Sequence, residues 1–265
     1  MRSPGSVPSP PRPVRSVLDR PVWHSLVGRH ASLGRHFVSA DGTVMAARYL
    51  PDVSPFAAVA DVGDPAGWAA LATLVGPGGR AVVTFPVDAT DGVTPWPPAD
   101  WTVVMDLSGV QMVARDMQPA VDPAALSLGP ADVTEMLDLV ARTRPGPFAT
   151  RTVELGGYVG FRDQPDGDGR SPRSGPADAA RLVAMAGRRF APDGFSEISA
   201  VCTDADWRGR GLGSRLVRTV AAGIVAEGEV PFLHASATNP AIALYRELGM
   251  VVRIPVRFVA LEWAG

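Results

Sequence analysis

Lysine is absent from all 265 residues; every one of the 25 basic side chains is arginine. A catalytic lysine, as Schiff base or amine nucleophile, is thereby excluded. The single cysteine, Cys202, excludes an internal disulfide and a cysteine-cluster metal site, and fits a reducing compartment. No run of 18 apolar residues occurs, so no transmembrane helix is expected. The first twenty residues, MRSPGSVPSPPRPVRSVLDR, lack the apolar stretch of a secretory signal. Their prolines also oppose the amphipathic helix of an organelle transit peptide. They read as a disordered tail, and a cytoplasmic location is expected. Charge of one sign is lacking too: 25 arginines face 27 carboxylates, a net charge of −2, and neither half is basic. That balance excludes the broad positive field that nucleic acid or an anionic membrane would require.

What the chain does have is apolar content, 46% hydrophobic against 20% charged residues, enough to bury a core. Its length suggests two modules, or one enlarged one. Residues 21–119 read as a smaller α/β module: a helical segment at 22–33, strands at 44–50 and 56–62, a helix capped by Asp64, and a buried strand at 81–85. A proline-rich loop (86–100) and strands at 101–107 and 110–114 complete it. DMQPAVDPAA (116–125) reads as a linker. Residues 120–265 form the second module. It has a short strand at 125–129, a helix opened by Pro130, and a meander at 156–163, 181–190 and 195–203. The 163–178 loop, rich in Gly, Pro, Asp and Ser, reads as mobile.

The most informative stretch follows the third meander strand. Arg208-Gly209-Arg210-Gly211-Leu212-Gly213-Ser214 feeds directly into a helix whose Leu212, Leu216, Val220 and Ile224 recur on one face. Glycines at a helix start cost stability, about 1 kcal/mol each inside a helix. They make sense where bare amides and the positive end of the helix dipole must approach a bulky anion. Four arginines and no acid lie between residues 207 and 218, a local excess suited to a diphosphate or nucleotide phosphate. The P-loop pattern GxxxxGK[ST] is absent, and G-x-G-x-G is not the dinucleotide fingerprint.

R-x-x-G-x-G after a strand resembles the acyl-CoA signature of the GNAT superfamily of N-acetyltransferases. A second segment, Asn239-Pro240-Ala241-Ile242-Ala243-Leu244-Tyr245-Arg246-Glu247-Leu248-Gly249-Met250, resembles that superfamily's N-x-x-A-x-x-L-Y-x-x-L-G-F. The resemblance covers about residues 125–264, closing on two strands, MVVRI and PVRFVALEW. The first module resembles, less closely, the N-terminal half of the glycine N-acyltransferase-like branch, as a GNAT-like half without the CoA motif. The implied fold is α+β, a mixed and mostly antiparallel sheet flanked by helices.

The resemblance also implies roles. The backbone of Val201, Cys202 and Thr203 would pair with the pantetheine arm of acetyl-CoA, the co-substrate. Arg208, Gly209, Arg210, Gly211, Leu212, Gly213 and Ser214 would hold its diphosphate, with Arg208 in place of the commoner Gln. Asn239, the single Asn of the chain, would touch CoA, serve as a helix cap, or do both. Tyr245 would be the general acid that protonates the departing thiolate, against the plainer reading of core packing. Glu197 is the candidate general base. Strand alternation would put Glu197, Ser199, Val201 and Thr203 on one face, and the competing reading makes Glu197 a partner for Arg188 or Arg189. His234 is the other candidate base, with water or the substrate itself as the remaining option. Cys202 as an acyl-carrying nucleophile lacks an activating neighbour; a backbone N–H near Val201 would serve the oxyanion. The expected activity is acetyl transfer to an amine, a small molecule or a peptide. A catalytically weak acyl-CoA sensor or interaction module is the alternative. Neither a metal nor a nucleic acid or membrane partner is expected, and homodimerisation stays open.

Overall fold

A computed structural model describes residues 16–90, 96–163 and 180–265. In chain order the elements are α1 (Pro21–Leu26), β1 (Gly34–Val38), β2 (Val44–Tyr49), β3 (Ala57–Val59), α2 (Pro65–Val75), β4 (Arg80–Pro86), β5 (Trp101–Ala114) and β6 (Leu126–Ser127). Then come α3 (Val133–Thr143), β7 (Val159–Arg162), β8 (Leu182–Arg188), β9 (Phe195–Thr203), α4 (Leu212–Ala226), β10 (Val230–Ser236), α5 (Ala241–Glu247) and β11 (Met250–Trp263). The fold is mixed α+β, a mostly antiparallel sheet flanked by helices.

Local rules account for most elements. Asp64 accepts from the Ala66 amide and Pro65 occupies the first turn, so α2 starts where its cap is. Arg144, in the left-handed region at φ 49°, ends α3. The stripe Leu212, Leu216, Val220 and Ile224 of α4 is buried against the sheet. Strand β8 is buried along nearly its whole length, as its apolar run LVAMAG requires of a strand covered on both faces.

The large sheet has the order β4-β11-β5-β10-β9-β8-β7-β6. Its β9–β10 pair is parallel, joined through α4, and the other pairs named for it are antiparallel. A second antiparallel sheet, β1-β2-β3, touches the first through a parallel bridge, Phe56 to Val82. One core cluster gathers Ile198, Leu216, Leu233, Tyr245 and Met250 under α4 and α5. Another brings Leu18, Tyr49 and Phe56 from the N-terminal half against Phe190, Phe232 and Phe258.

Several expectations change here. The boundary at 119/120 divides a continuous sheet: β5 lies between β10 and β11, and β4 pairs with β11 over seven residues. The supposed linker is fastened, because Arg115 and Asp116 donate to the Gly249 carbonyl and Asp122 pairs with Arg215. The tail ends earlier than residue 20. Leu18 is buried and Asp19 pairs with Arg253 at 2.5 Å, whereas residues 1–15 lie outside the described residues, as does 164–179 of the long loop. The two expected closing strands are one, β11, interrupted by a bulge at Val252–Ile254 that turns Arg253 inward.

A fragment of residues 120–265 lacks β4 and β5 and leaves long edges of β10 and β11 unpaired. We expect it to show no cooperative urea transition and no dispersed amide spectrum, where the full chain shows both. A folded fragment would restore the boundary.

Candidate active site at the β9–β10 splay

Strands β9 and β10 pair only at Val230–Phe195, Pro231–Ser196 and Phe232–Glu197. Beyond Glu197, β9 continues against β8 alone and β10 against β5 alone. The two strands therefore part, and residues 198–203 turn one backbone edge away from any strand. Buried main-chain groups need partners, so this edge is a ready template for an extended ligand. Val201, Cys202 and Thr203 lie along it.

A bulge shapes the same edge. Met185–Cys202 and Gly187–Ser199 are consecutive pairs of β8 and β9, and Ala200 between them has φ 54°. An alanine in the left-handed region is strained by about 1 kcal/mol or more. The bulge also breaks the simple alternation. Ile198 and Val201 pack in the cluster beneath α4, while Ala200 and Cys202 pack with Met136, Leu139 and Tyr158. Glu197 and Val201 thus do not share a face. Nothing in the local sequence announces the bulge.

At the open end of the splay the chain makes a short 3-10 turn, Ala205–Trp207, then enters α4. Gly209 and Gly211 take φ 75° and 74°, and no side chain caps α4. A Cβ at either glycine would meet nothing within 4 Å, and one at Gly213 only Leu244 at 4.0 Å. Arg208 to Gly211 are exposed. The first amides of α4, with the positive end of its dipole, therefore face open space. This cradle suits a diphosphate, with bare donors at the loop and a free strand edge leading away from it. Arg208 donates to the Thr203 carbonyl at 3.3 Å, tying the turn to the end of β9. Arg210 lies over the Trp207 ring at 4.3 Å. Arg215 is committed to Asp122 and to the Phe161 ring. Ser214 sits in the first turn of α4. Asn239 accepts the Ala241 amide on its side-chain oxygen at 2.9 Å, a turn leading into α5, whose N-cap position is Pro240.

Tyr245 projects from α5 into the cluster with Ile198, Leu212 and Ala235 and is 6% exposed. Burial pushes its phenol up to about 12, which keeps the proton in place at neutral pH. Burial likewise pushes the Cys202 thiol up to about 11, so it carries little thiolate and makes no nucleophile.

Glu197 requires correction as a base. It is fully buried, accepts from Arg189 at 2.8 and 2.6 Å, from the Phe190 amide at 3.3 Å, and from His234 Nδ1 at 2.7 Å. Desolvation favours its neutral form, but Arg189 and His234 outweigh it and hold the carboxyl down near about 2. A carboxylate so held has neither the access nor the basicity to deprotonate an amine. His234 is corrected on its hydrogen bonds. Gln111 takes Arg253 on its oxygen at 2.8 Å and donates to the Leu18 carbonyl at 2.7 Å, so its second N–H points to His234 Nε2 at 3.0 Å. His234 Nε2 accepts and Nδ1–H donates to Glu197; both nitrogens are spent. The Arg189 alternative was readable in the sequence, eight residues from Glu197; the chain through Gln111 and Arg253 was not. Among the described residues no cluster of His, Cys, Asp or Glu could hold a metal ion, and no helix is long and apolar enough to cross a membrane.

Comparison with known proteins places this geometry. The model of the FR47-like protein family matches residues 176–259. A GNAT-family protein from Novosphingobium aromaticivorans DSM 12444 shares 36% identity over 95% of this chain and 100% of its own, with a TM-score of 0.76. A GCN5-related N-acetyltransferase from Kribbella flavida, at 16% identity over 92% and 95% of the two chains, has a TM-score of 0.53 and shares the fold. No curated protein matches the sequence.

Replacing Glu197 by Gln strands the buried Arg189 charge, a loss of about 3–5 kcal/mol. Because the carboxyl is held below its ordinary value, its stabilisation is complete above pH about 4.5 and is lost as pH falls toward about 2. Urea titrations should therefore show Glu197→Gln far less stable at pH 7 and the gap closing in acid. Equal stability at pH 7 would contradict this.

Proposed function

The chain belongs to the GNAT family of acetyltransferases, and on that premise we propose that it moves an acetyl group from acetyl-CoA to an amine by direct attack. The observation that carries the reading is the uncapped, positive-φ glycine turn of Gly209 and Gly211 standing at the end of an unpaired strand edge. Acetyl-CoA supplies the activated thioester; the chain supplies position and proton. Amides of the turn, aided by Arg208 and Arg210, take the diphosphate. The free backbone of Val201 to Thr203 takes the pantetheine arm, and Asn239 flanks it. The Ala200 bulge turns main-chain donors toward the reacting carbonyl, where a fixed N–H stabilises developing negative charge. The Tyr245 hydroxyl, protonated at neutral pH, gives a hydrogen bond to the departing sulfur.

With Glu197 and His234 sealed, the amine arrives neutral or loses its proton to water. That same observation favours one second reading, an acyl-CoA sensor of weak activity. The acceptor class stays as wide as the sequence left it, a small molecule or a peptide amine. A cytoplasmic place of action and homodimerisation belong to the same reading. So does the glycine N-acyltransferase-like branch, supported by a second strand–helix–strand unit in residues 56–86.

Release of free thiol from acetyl-CoA across an amine panel separates enzyme from sensor. In the active pair, Tyr245→Phe should lower kcat by about 10²–10⁴ with acetyl-CoA affinity nearly intact. An unchanged kcat removes Tyr245 from the chemistry. Gly211→Asp should weaken acetyl-CoA binding at least about tenfold, by placing a negative cap where the diphosphate sits.

A further inference from the structure

The splay occurs twice. Phe56, just before β3, bridges in parallel to Val82 of β4; the two segments then part, and α2 joins them as α4 joins β9 to β10. The wedge between β3 and β4 opens into a cavity of about 250 Å³. It is not the acetyl-transfer cleft: β4 lies three strands from β10, about 14 Å at the ordinary strand spacing.

The two clefts share a frame and differ in charge. α4 begins at an uncapped glycine turn flanked by arginines, whereas α2 begins at Pro65 with the Asp64 carboxylate already bonded to the Ala66 amide at 2.9 Å. Residues 60–79 hold Asp61 and Asp64 and no arginine. A phosphate finds no bare glycine turn here and one arginine, Arg20, against Asp61 and Asp88 in the same lining, so the β3–β4 cleft does not offer CoA the cradle that the other does.

Its lining points to a different ligand. Trp23, Trp68 and Phe85 form aromatic walls, and Asp61 and Asp88 stand among them. Asp19 is matched by Arg253, while Asp61 and Asp88 make no ion pair among the described residues; Arg20 of the same lining lies over the Trp23 ring at 5.0 Å. Thr84, 9% exposed, also lines the cavity, and its Oγ1 is a buried polar atom with no hydrogen-bond partner. The volume falls below the ~300–1,000 Å³ of drug-sized sites.

The geometry points to a second binding site, in the β3–β4 wedge, for a small organic ammonium: one ring against Trp68 and Phe85, its charged nitrogen toward the carboxylates of Asp61 and Asp88. This inference does not rest on the transfer reading, since the wedge shares no residue with the acetyl-CoA cleft.

Phenethylamine is the probe, titrated calorimetrically into the full chain beside neutral 2-phenylethanol and anionic phenylacetate. Phenethylamine should bind, and phenylacetate should not. Asp61→Asn and Asp88→Asn should each weaken phenethylamine about five- to tenfold, with acetyl-CoA affinity unchanged; retained acetyl-CoA binding also shows that each variant is folded. No heat with phenethylamine up to millimolar concentration overturns the site. So does binding indifferent to both substitutions, binding displaced by acetyl-CoA, or equal binding of phenylacetate. Loss of acetyl-CoA binding in the unmodified chain would instead refute the transferase reading and leave this test standing.

Discussion

One buried carboxylate sets the point at which β9 and β10 part. Glu197 is the last residue of β9 paired to β10, and its side chain ties Arg189 before the β8–β9 turn to His234, two residues past the end of the pairing. From His234 the hydrogen bonds run on through Gln111 of β5 and Arg253 of β11 to Asp19 at the start of the fold. Ion pairs of this kind contribute little net stability against an apolar replacement, but losing one partner is costly. Their value here lies in geometry. The Glu197 carboxylate, both nitrogens of His234 and the Gln111 amide are all hydrogen-bonded, so the strands are held together at the apex and free beyond it, and the free edge of β9 is what makes a ligand cleft.

That constraint also explains why the two most obvious titratable residues near the cleft take no proton from an amine. In the function we propose, the chemistry falls to groups that the frame leaves unspent: amides of the glycine turn, the bulged backbone at Ala200 and the phenol of Tyr245. The β3–β4 wedge reuses the frame with the opposite electrostatics. Its helix start is closed by Asp64, and its walls carry Asp61 and Asp88 beside a single arginine, Arg20. One architecture thus presents an anion-seeking cleft and a cation-seeking cavity in the same chain.

The parts legible in the sequence are those governed by neighbours along the chain. The α4 stripe, the Asp64 cap and the left-handed glycines at 209 and 211 follow from spacing of three or four residues and from the backbone freedom of glycine. What could not be read depends on contacts far apart in sequence. β5 inserts between β10 and β11 through pairings such as Met112–Leu233, and no local pattern distinguishes a strand that stays in its own half from one that joins the other. The bulge at Ala200 shifts side-chain direction by one residue without any proline or glycine to mark it. The Glu197 partners span residues 189 to 234, and only the nearest of them was within reach of strand alternation. The repeat of the splay is carried by topology, since ADVGDPAGW and DADWRGRGLG share almost no chemistry.

Hydrogen–deuterium exchange with and without acetyl-CoA tests the central claim most directly. Amides that grip the diphosphate and pantetheine must slow. The account predicts protection in residues 198–203 and 209–214 and none in 57–68. Unchanged exchange across 209–214 in the presence of saturating acetyl-CoA, or protection that appears at 57–68 instead, would contradict it.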